Sequence, residues 1–187
     1  MNFTTTPIDG LVILEPQVFE DERGYFFEAF NQSRMDASGH TTVFVQDNQS
    51  RSGYGVIRGL HYQMEPFAQT KLVRVLEGTI LDVVVDIRKG SPTYGSQFSI
   101  ELTAQNKKQL YIPKGFAHGF SVLSTVAVVL YKCDSFYNKS SEGGILYNDP
   151  DLGIDWKIDT EKALVSEKDL QLPPLKNIIT NFTYQPA

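Results

Sequence analysis

The chain of 187 residues carries 17 Lys and Arg against 22 Asp and Glu, a formal net charge of -5, and 41% of its residues are apolar. That length and apolar content suit one globular domain over residues 1–187 with a substantial core, and the mildly acidic balance excludes the basic stripe of a duplex-binding surface, so no nucleic-acid partner is expected. The longest apolar run, Val126 to Tyr131, is far too short to cross a bilayer, and the opening Met1-Asn2-Phe3-Thr4-Thr5 lacks a basic segment followed by an apolar one, so neither a membrane partner nor export is expected. Cys133 is the only cysteine, which rules out an internal disulfide and a multi-cysteine zinc site and predicts a reducing, cytoplasmic setting.

In chain order, Leu11 to Leu14 and Tyr25 to Phe30 read as strands, Asn31 to Ala37 as a short helix, and Val43 to Gln46 as another strand. Gly55 to Gln63 carries His61 on a strand. Two β-branched runs, Thr70 to Glu77 and Thr79 to Ile87, flank Gly78 and predict a β-hairpin. Ser96 to Leu102, Gln109 to Ile112, Ala117 to Leu123 and Val126 to Cys133 continue the strand-like spacing, punctuated by Gly, Pro and Ser. Ser166 is placed to cap one helical turn, Ser166 to Leu170, no linker composition precedes about Pro173, and the last dozen residues read as a loosely held tail. Many short strands without βα alternation predict an all-β sandwich or barrel, and a jelly roll with a few short peripheral helices suits the length.

Three histidines bound the chemistry. His40 sits in a polar turn, Ser38-Gly39-His40-Thr41, and reads as a solvated loop residue. His61 lies near Arg58 and several hydrogen-bonding side chains, an unusual setting for a core filler. In a period-two strand Arg58 and His61 face opposite sides, so Gly59 must mark a bulge or bend if both line one cavity. His118, between glycines and aromatics in Gly115-Phe116-Ala117-His118-Gly119-Phe120, reads from its neighbours as structural rather more than functional. A metal-dependent jelly roll would need several inward His and carboxylate ligands, with His118, Asp82 and Glu101 available, but no His-x-His pair is present and the spacing speaks against a metal. Arg23, Arg58, Lys71 and Lys168 fall beside Gly or aromatic residues. Singly, each reads as a solvated or salt-bridged cation; as a set they suit a diphosphate.

Six segments in order resemble one family: Val18 to Glu28, Val45 to Ser50, Ile57 to Gln63, Ile112 to Phe120, Glu142 to Pro150 and Ser166 to Asp169. Together they are similar to the dTDP-4-dehydrorhamnose 3,5-epimerases over about Leu11 to Leu175. The resemblance implies a cupin-type β jelly roll, a homodimer, no cofactor and no metal. The implied substrate is dTDP-4-dehydro-6-deoxy-D-glucose, a dTDP-4-keto-6-deoxyhexose, and the product dTDP-4-dehydro-L-rhamnose, precursor of dTDP-L-rhamnose. Matched position by position, His61 is the general base, Asp169 its carboxylate partner, Tyr131 the general acid and Lys71 the cation beside the sugar carbonyl. Arg23, Arg58 and Lys168 match diphosphate contacts, and Glu28, Gln46, Asn48 and Tyr137 match positions around the nucleoside. His118 falls inside one motif and is counted with the substrate-binding residues. Phe19, Arg23 and Glu28 belong to a segment that in similar proteins reaches the partner subunit's site. Gln49 stands where His is frequent, and Tyr62 and Tyr147 replace other aromatics; none of these removes a proposed catalytic group.

The residue types fit the implied reaction. A 4-ketone acidifies the hydrogens at C3 and C5, so inversion needs only proton removal and return from the other face, and the chain has no Gly-x-Gly-x-x-Gly or Walker-type loop. Imidazole titrates at about 6.5, near working pH, and a carboxylate beside it fixes its tautomer. A cation at the carbonyl oxygen stabilises the enolate. Tyr131 also reads as an ordinary core aromatic. A noncatalytic sugar or nucleotide-binding module or a jelly-roll scaffold, decided by an assay with the keto sugar, and a 3-epimerase or 3,4-ketoisomerase, separated by product analysis, are the other readings.

Overall fold

The computed structural model describes residues 1–185. The described residues form thirteen strands and two short α-helices: β1 (Asn2–Thr5), β2 (Val12–Glu15), β3 (Val18–Asp21), β4 (Gly24–Phe27), α1 (Gln32–Ala37), β5 (Gln46–Gly53), β6 (Ile57–Gln63), β7 (Lys71–Glu77), β8 (Thr79–Asp86), β9 (Gln97–Thr103), β10 (Gln109–Ile112), β11 (Phe116–Val122), β12 (Val126–Cys133), β13 (Glu142–Gly144) and α2 (Glu167–Leu170). A six-stranded sheet, β1-β2-β10-β7-β12-β5, faces a five-stranded sheet, β13-β6-β11-β8-β9, and β3-β4 forms a separate ribbon. This is the cupin-type β jelly roll, with all ladders within the sheets antiparallel.

Alternation in the strands decides what each sheet buries. Val73 and Val75 of β7, Ile80 and Val84 of β8, Phe120 and Val122 of β11 and Val129 of β12 form the core between the sheets. The opposite face of the five-stranded sheet is also buried: Leu81, Val83 and Val85 of β8 and Ala117 of β11 pack with Ile145, Tyr147, Trp156 and Phe182 from the C-terminal part of the chain. With both faces covered, β8 is apolar on both of its sides, Ile80 and Val84 on one and Leu81, Val83 and Val85 on the other, with Asp82 the buried exception among them.

Three expectations are corrected. Thr70 to Glu77 and Thr79 to Ile87 do not pair as a hairpin: β7 lies in one sheet between β10 and β12, and β8 in the other between β11 and β9. Gly78 is where the chain crosses between sheets. Its φ is +77°, and a Cβ there would stand 2.0 Å from the Val126 carbonyl oxygen, so both conformation and space require glycine. The strand expected at Val43 to Gln46 begins at Gln46 and runs to Gly53, because its ladder to β12 extends through polar residues. Nor are the described residues of the last dozen loose. Phe182 is buried in the second core, Tyr62 donates its hydroxyl to the Ile179 carbonyl at 2.7 Å, and the Tyr184 N–H reaches the Lys89 carbonyl at 2.9 Å. The last two residues of the expected tail lie outside the described residues. Both expected helices are present, with Asn31 capping α1 and Ser166 capping α2 through side-chain oxygens.

Candidate active site

The site is built on β6. Gly59 has φ +112°, and the β6–β11 register shifts beside it, between His118 and Phe120. A Cβ on Gly59 would lie 2.7 Å from both the Gly119 Cα and the His118 carbonyl oxygen, so only glycine allows the two backbones this close. This irregularity brings Arg58 and His61 to one cavity, as the sequence argument required.

The cavity measures about 530 Å3. Its lining joins Arg58 and His61 of β6, Lys71 of β7, His118 of β11, Tyr131 of β12, and Lys168 and Asp169 of α2. His61 Nε2 lies 2.7 Å from Asp169 Oδ1, and Asp169 Oδ2 accepts from the Gly59 N–H at 3.1 Å. With Nε2 donating, Nδ1 retains the lone pair that a base uses. The His61 side chain is 41% exposed and that of Asp169 only 5%, so the pair places an accessible imidazole over a buried anion. Burial alone would raise the Asp169 pKa; hydrogen bonding and charge from His61, with the Gly59 N–H and Ser166, outweigh it and hold the carboxyl below its ordinary value. The short helix fixes this carboxylate because the Ser166 hydroxyl accepts from the Asp169 N–H at 3.1 Å.

Lys71 and Tyr131 stand on the neighbouring strands β7 and β12 of the six-stranded sheet, with the ammonium 5.9 Å from the phenol ring centre. Burial lowers the Lys71 pKa, against the opposing influence of Cys133 and Asp82. Burial also raises that of Tyr131, with Cys133 adding to the rise and the Arg58 charge working against it. His118 donates from Nε2 to fully buried Asp82 Oδ1 and is the cross-strand neighbour of His61. Lys168 pairs with Glu142 at 2.7 Å, and this hydrogen bond raises its pKa. Among the described residues no group of three or more His, Cys, Asp and Glu side chains is placed to hold a metal ion.

Three of the four nucleoside residues expected from the sequence, Gln46, Asn48 and Tyr137, form a neighbouring strip. Gln46 donates to Asn48 at 3.0 Å and accepts from the Tyr137 N–H at 3.3 Å; Tyr137 is itself 54% exposed. The remaining three lie apart from this chain's cavity. Phe19 and Arg23 are exposed on the β3-β4 ribbon, where Arg23 pairs with Asp21, and Glu28 pairs with Arg34 at 2.9 Å.

The family model described as dTDP-4-dehydrorhamnose 3,5-epimerase matches residues 5–177. The chain belongs to this family. A dTDP-4-dehydrorhamnose 3,5-epimerase of Shigella flexneri is 52% identical over 171 residues, covering 91% of this chain and 93% of that one. A crystal structure of a dTDP-6-deoxy-D-glucose-3,5-epimerase from Legionella pneumophila, in complex with dTDP-4-keto-L-rhamnose, superposes with a TM-score of 0.94 at 48% identity, covering 99% of each chain. A 3'-monoepimerase from Streptomyces bikiniensis, in complex with dTDP-quinovose, gives 0.86 at 35% identity over 91% of this chain and 86% of that one.

Sequence reasoning passed over one polar residue of this epimerase-family cavity. Ser50 lines it, and the Ser50 hydroxyl is buried without a hydrogen-bond partner among the described residues. The signal was the alternation Gln46, Asn48, Ser50, Ser52, a polar inner face that the misplaced strand obscured. Asp82, weighed from the sequence only as a metal ligand, instead anchors His118, and its signal was plain: a carboxylate within Ile80-Leu81-Asp82-Val83-Val84-Val85 is out of place unless it is paired.

Proposed function

We propose that this protein epimerises dTDP-4-dehydro-6-deoxy-D-glucose at C3 and C5, giving dTDP-4-dehydro-L-rhamnose for dTDP-L-rhamnose biosynthesis. The observation carrying this reading is the convergence of the His61–Asp169 pair, Lys71 and Tyr131 on one cavity. His61 removes the proton from the carbon next to the 4-ketone, and the bond's electron pair moves into the enolate, its charge on the carbonyl oxygen. Asp169, held ionised, stabilises the imidazolium that results. Lys71 offsets the enolate's charge; one well-placed donor of this kind contributes about 3–4 kcal/mol. Tyr131 returns a proton to the same carbon from the opposite face, since return by His61 would restore the starting configuration. Proton exchange with solvent then resets the phenolate and the imidazolium. No redox change occurs, so the chemistry calls for no redox cofactor.

Arg58 and Lys168 bind the diphosphate and His118, fixed by Asp82, contacts the sugar. Tyr137 stacks on thymine, with Gln46 and Asn48 on its polar edges. Phe19, Arg23 and Glu28 serve the partner's cavity in a homodimer. The exposed apolar ribbon, with Phe19 at 56% and Phe26 at 70% exposure, supports a second copy as its cover. The buried, unpaired Cys133 accords with a cytoplasmic setting.

The test is a product-resolved NMR assay on the keto sugar in deuterated buffer. Deuterium at both C3 and C5 with the L-rhamno product is expected; no exchange at either carbon overturns the reading. The likeness to a 3'-monoepimerase gives a second reading, in which the product carries inversion at C3 alone.

A further inference from the structure

Arg58 differs from most other fixed cations of this chain in what anchors it. Arg23 is held by Asp21, Arg88 by Asp86, Lys132 by Asp47 and Lys168 by Glu142, each by a carboxylate that offsets its charge. Arg58 instead donates its Nε to the hydroxyl of Ser52 at 3.0 Å, and among the described residues it forms no ion pair. Ser52 is 7% exposed on the inner face of β5. A buried hydroxyl is costly without a partner, and alanine would fill the same place more cheaply.

We propose that Ser52 is a positioning residue: it fixes the Arg58 guanidinium through Nε, turns the two terminal amino groups toward the cavity, and leaves the full positive charge for the substrate's diphosphate. A neutral anchor does what a carboxylate cannot. It sets the plane of the fork, on which bidentate recognition of phosphate oxygens depends, without competing for the charge. The inference rests on the diphosphate role given to Arg58 above, and extends it to a residue that does not touch substrate.

The experiment measures dTDP affinity by calorimetry at several salt concentrations, with steady-state kcat and KM for the keto sugar and a Tm for each variant. Ser52→Ala is expected to weaken dTDP binding and raise KM about tenfold, the loss of one charge-assisted hydrogen bond, with kcat nearly unchanged. Ser52→Cys, of similar volume but a weak acceptor, should match it, and Ser52→Thr should restore binding. Ser52→Asp keeps an anchor but neutralises the charge, so its dTDP binding should be weak and less salt-sensitive than that of the unaltered protein. In the Arg58→Ala background Ser52→Ala should add nothing. Normal dTDP affinity in both the Ala and Cys variants, or a further loss on top of Arg58→Ala, overturns the proposal. If Arg58→Ala itself binds dTDP normally, the diphosphate role fails and this inference falls with it; if Arg58→Ala binds weakly while Ser52→Ala binds normally, only the role of Ser52 fails.

Discussion

Imidazole, phenol and ammonium have separable jobs in the cavity, so single substitutions should fail differently. His61→Asn keeps a hydrogen bond to Asp169 but has no lone-pair nitrogen to accept a proton, and is expected to lower kcat by at least about a hundredfold and to abolish solvent exchange at C3 and C5 in a folded protein. Tyr131→Phe should retain exchange driven by His61 while failing to complete inversion, seen as deuterated substrate returned without product. Lys71 gives an opposite sign for stability and activity. Its ammonium is desolvated by burial, an unfavourable placement that a bound enolate offsets but the free protein does not. Lys71→Met should therefore raise Tm while removing activity, and a Tm unchanged or lowered would argue against that balance.

Between residue and fold stand the two devices that aim the site, the Gly59 bulge and the Ser166 cap. Ser166→Ala removes an N-cap worth about 1 kcal/mol and loosens the turn that presents Asp169; the expected result is a modest fall in Tm with a larger fall in kcat. Legibility in the sequence followed the same line. His61 and the Ser166 cap were readable because their signals are local: an imidazole in a polar strand context and a hydroxyl before a helical turn. The need for a bend at Gly59 followed from period-two geometry alone. Gly78 was misread because β-branched runs around a glycine look the same whether the strands pair with each other or part into two sheets, and only the tertiary crossing tells them apart. The inner face of β5 was missed for the converse reason: Gln46, Asn48, Ser50 and Ser52 alternate inward without being apolar, because they face a cavity and its rim more than a core. The His61–Asp169 pairing came from family likeness, since no spacing rule links residues so far apart in the chain.

Across the whole molecule, acid sensitivity should trace to two buried carboxylates. Burial pushes the pKa of Asp86 up, but hydrogen bonds from Arg88, Ser91 and Thr93 prevail and hold it low; Asp169 is likewise held low by His61 against its burial. A carboxyl depressed in the folded state contributes stability that is fully present above its unfolded value, about 3.9, and is lost as pH falls through the lower folded value. Urea denaturation followed down through that acid range should show stability falling, with a shallower fall in Asp86→Asn, whose stability at neutral pH starts lower. The order of the chain adds a temporal consequence. Every strand of the jelly roll is encoded before Asp169, and Trp156 and Phe182, which cover the outer sheet, also come late. A polypeptide still leaving the ribosome would thus expose a greasy, uncovered sheet and an imidazole without its counter-anion, and would gain its reactivity only once the segment that follows the last strand has also emerged.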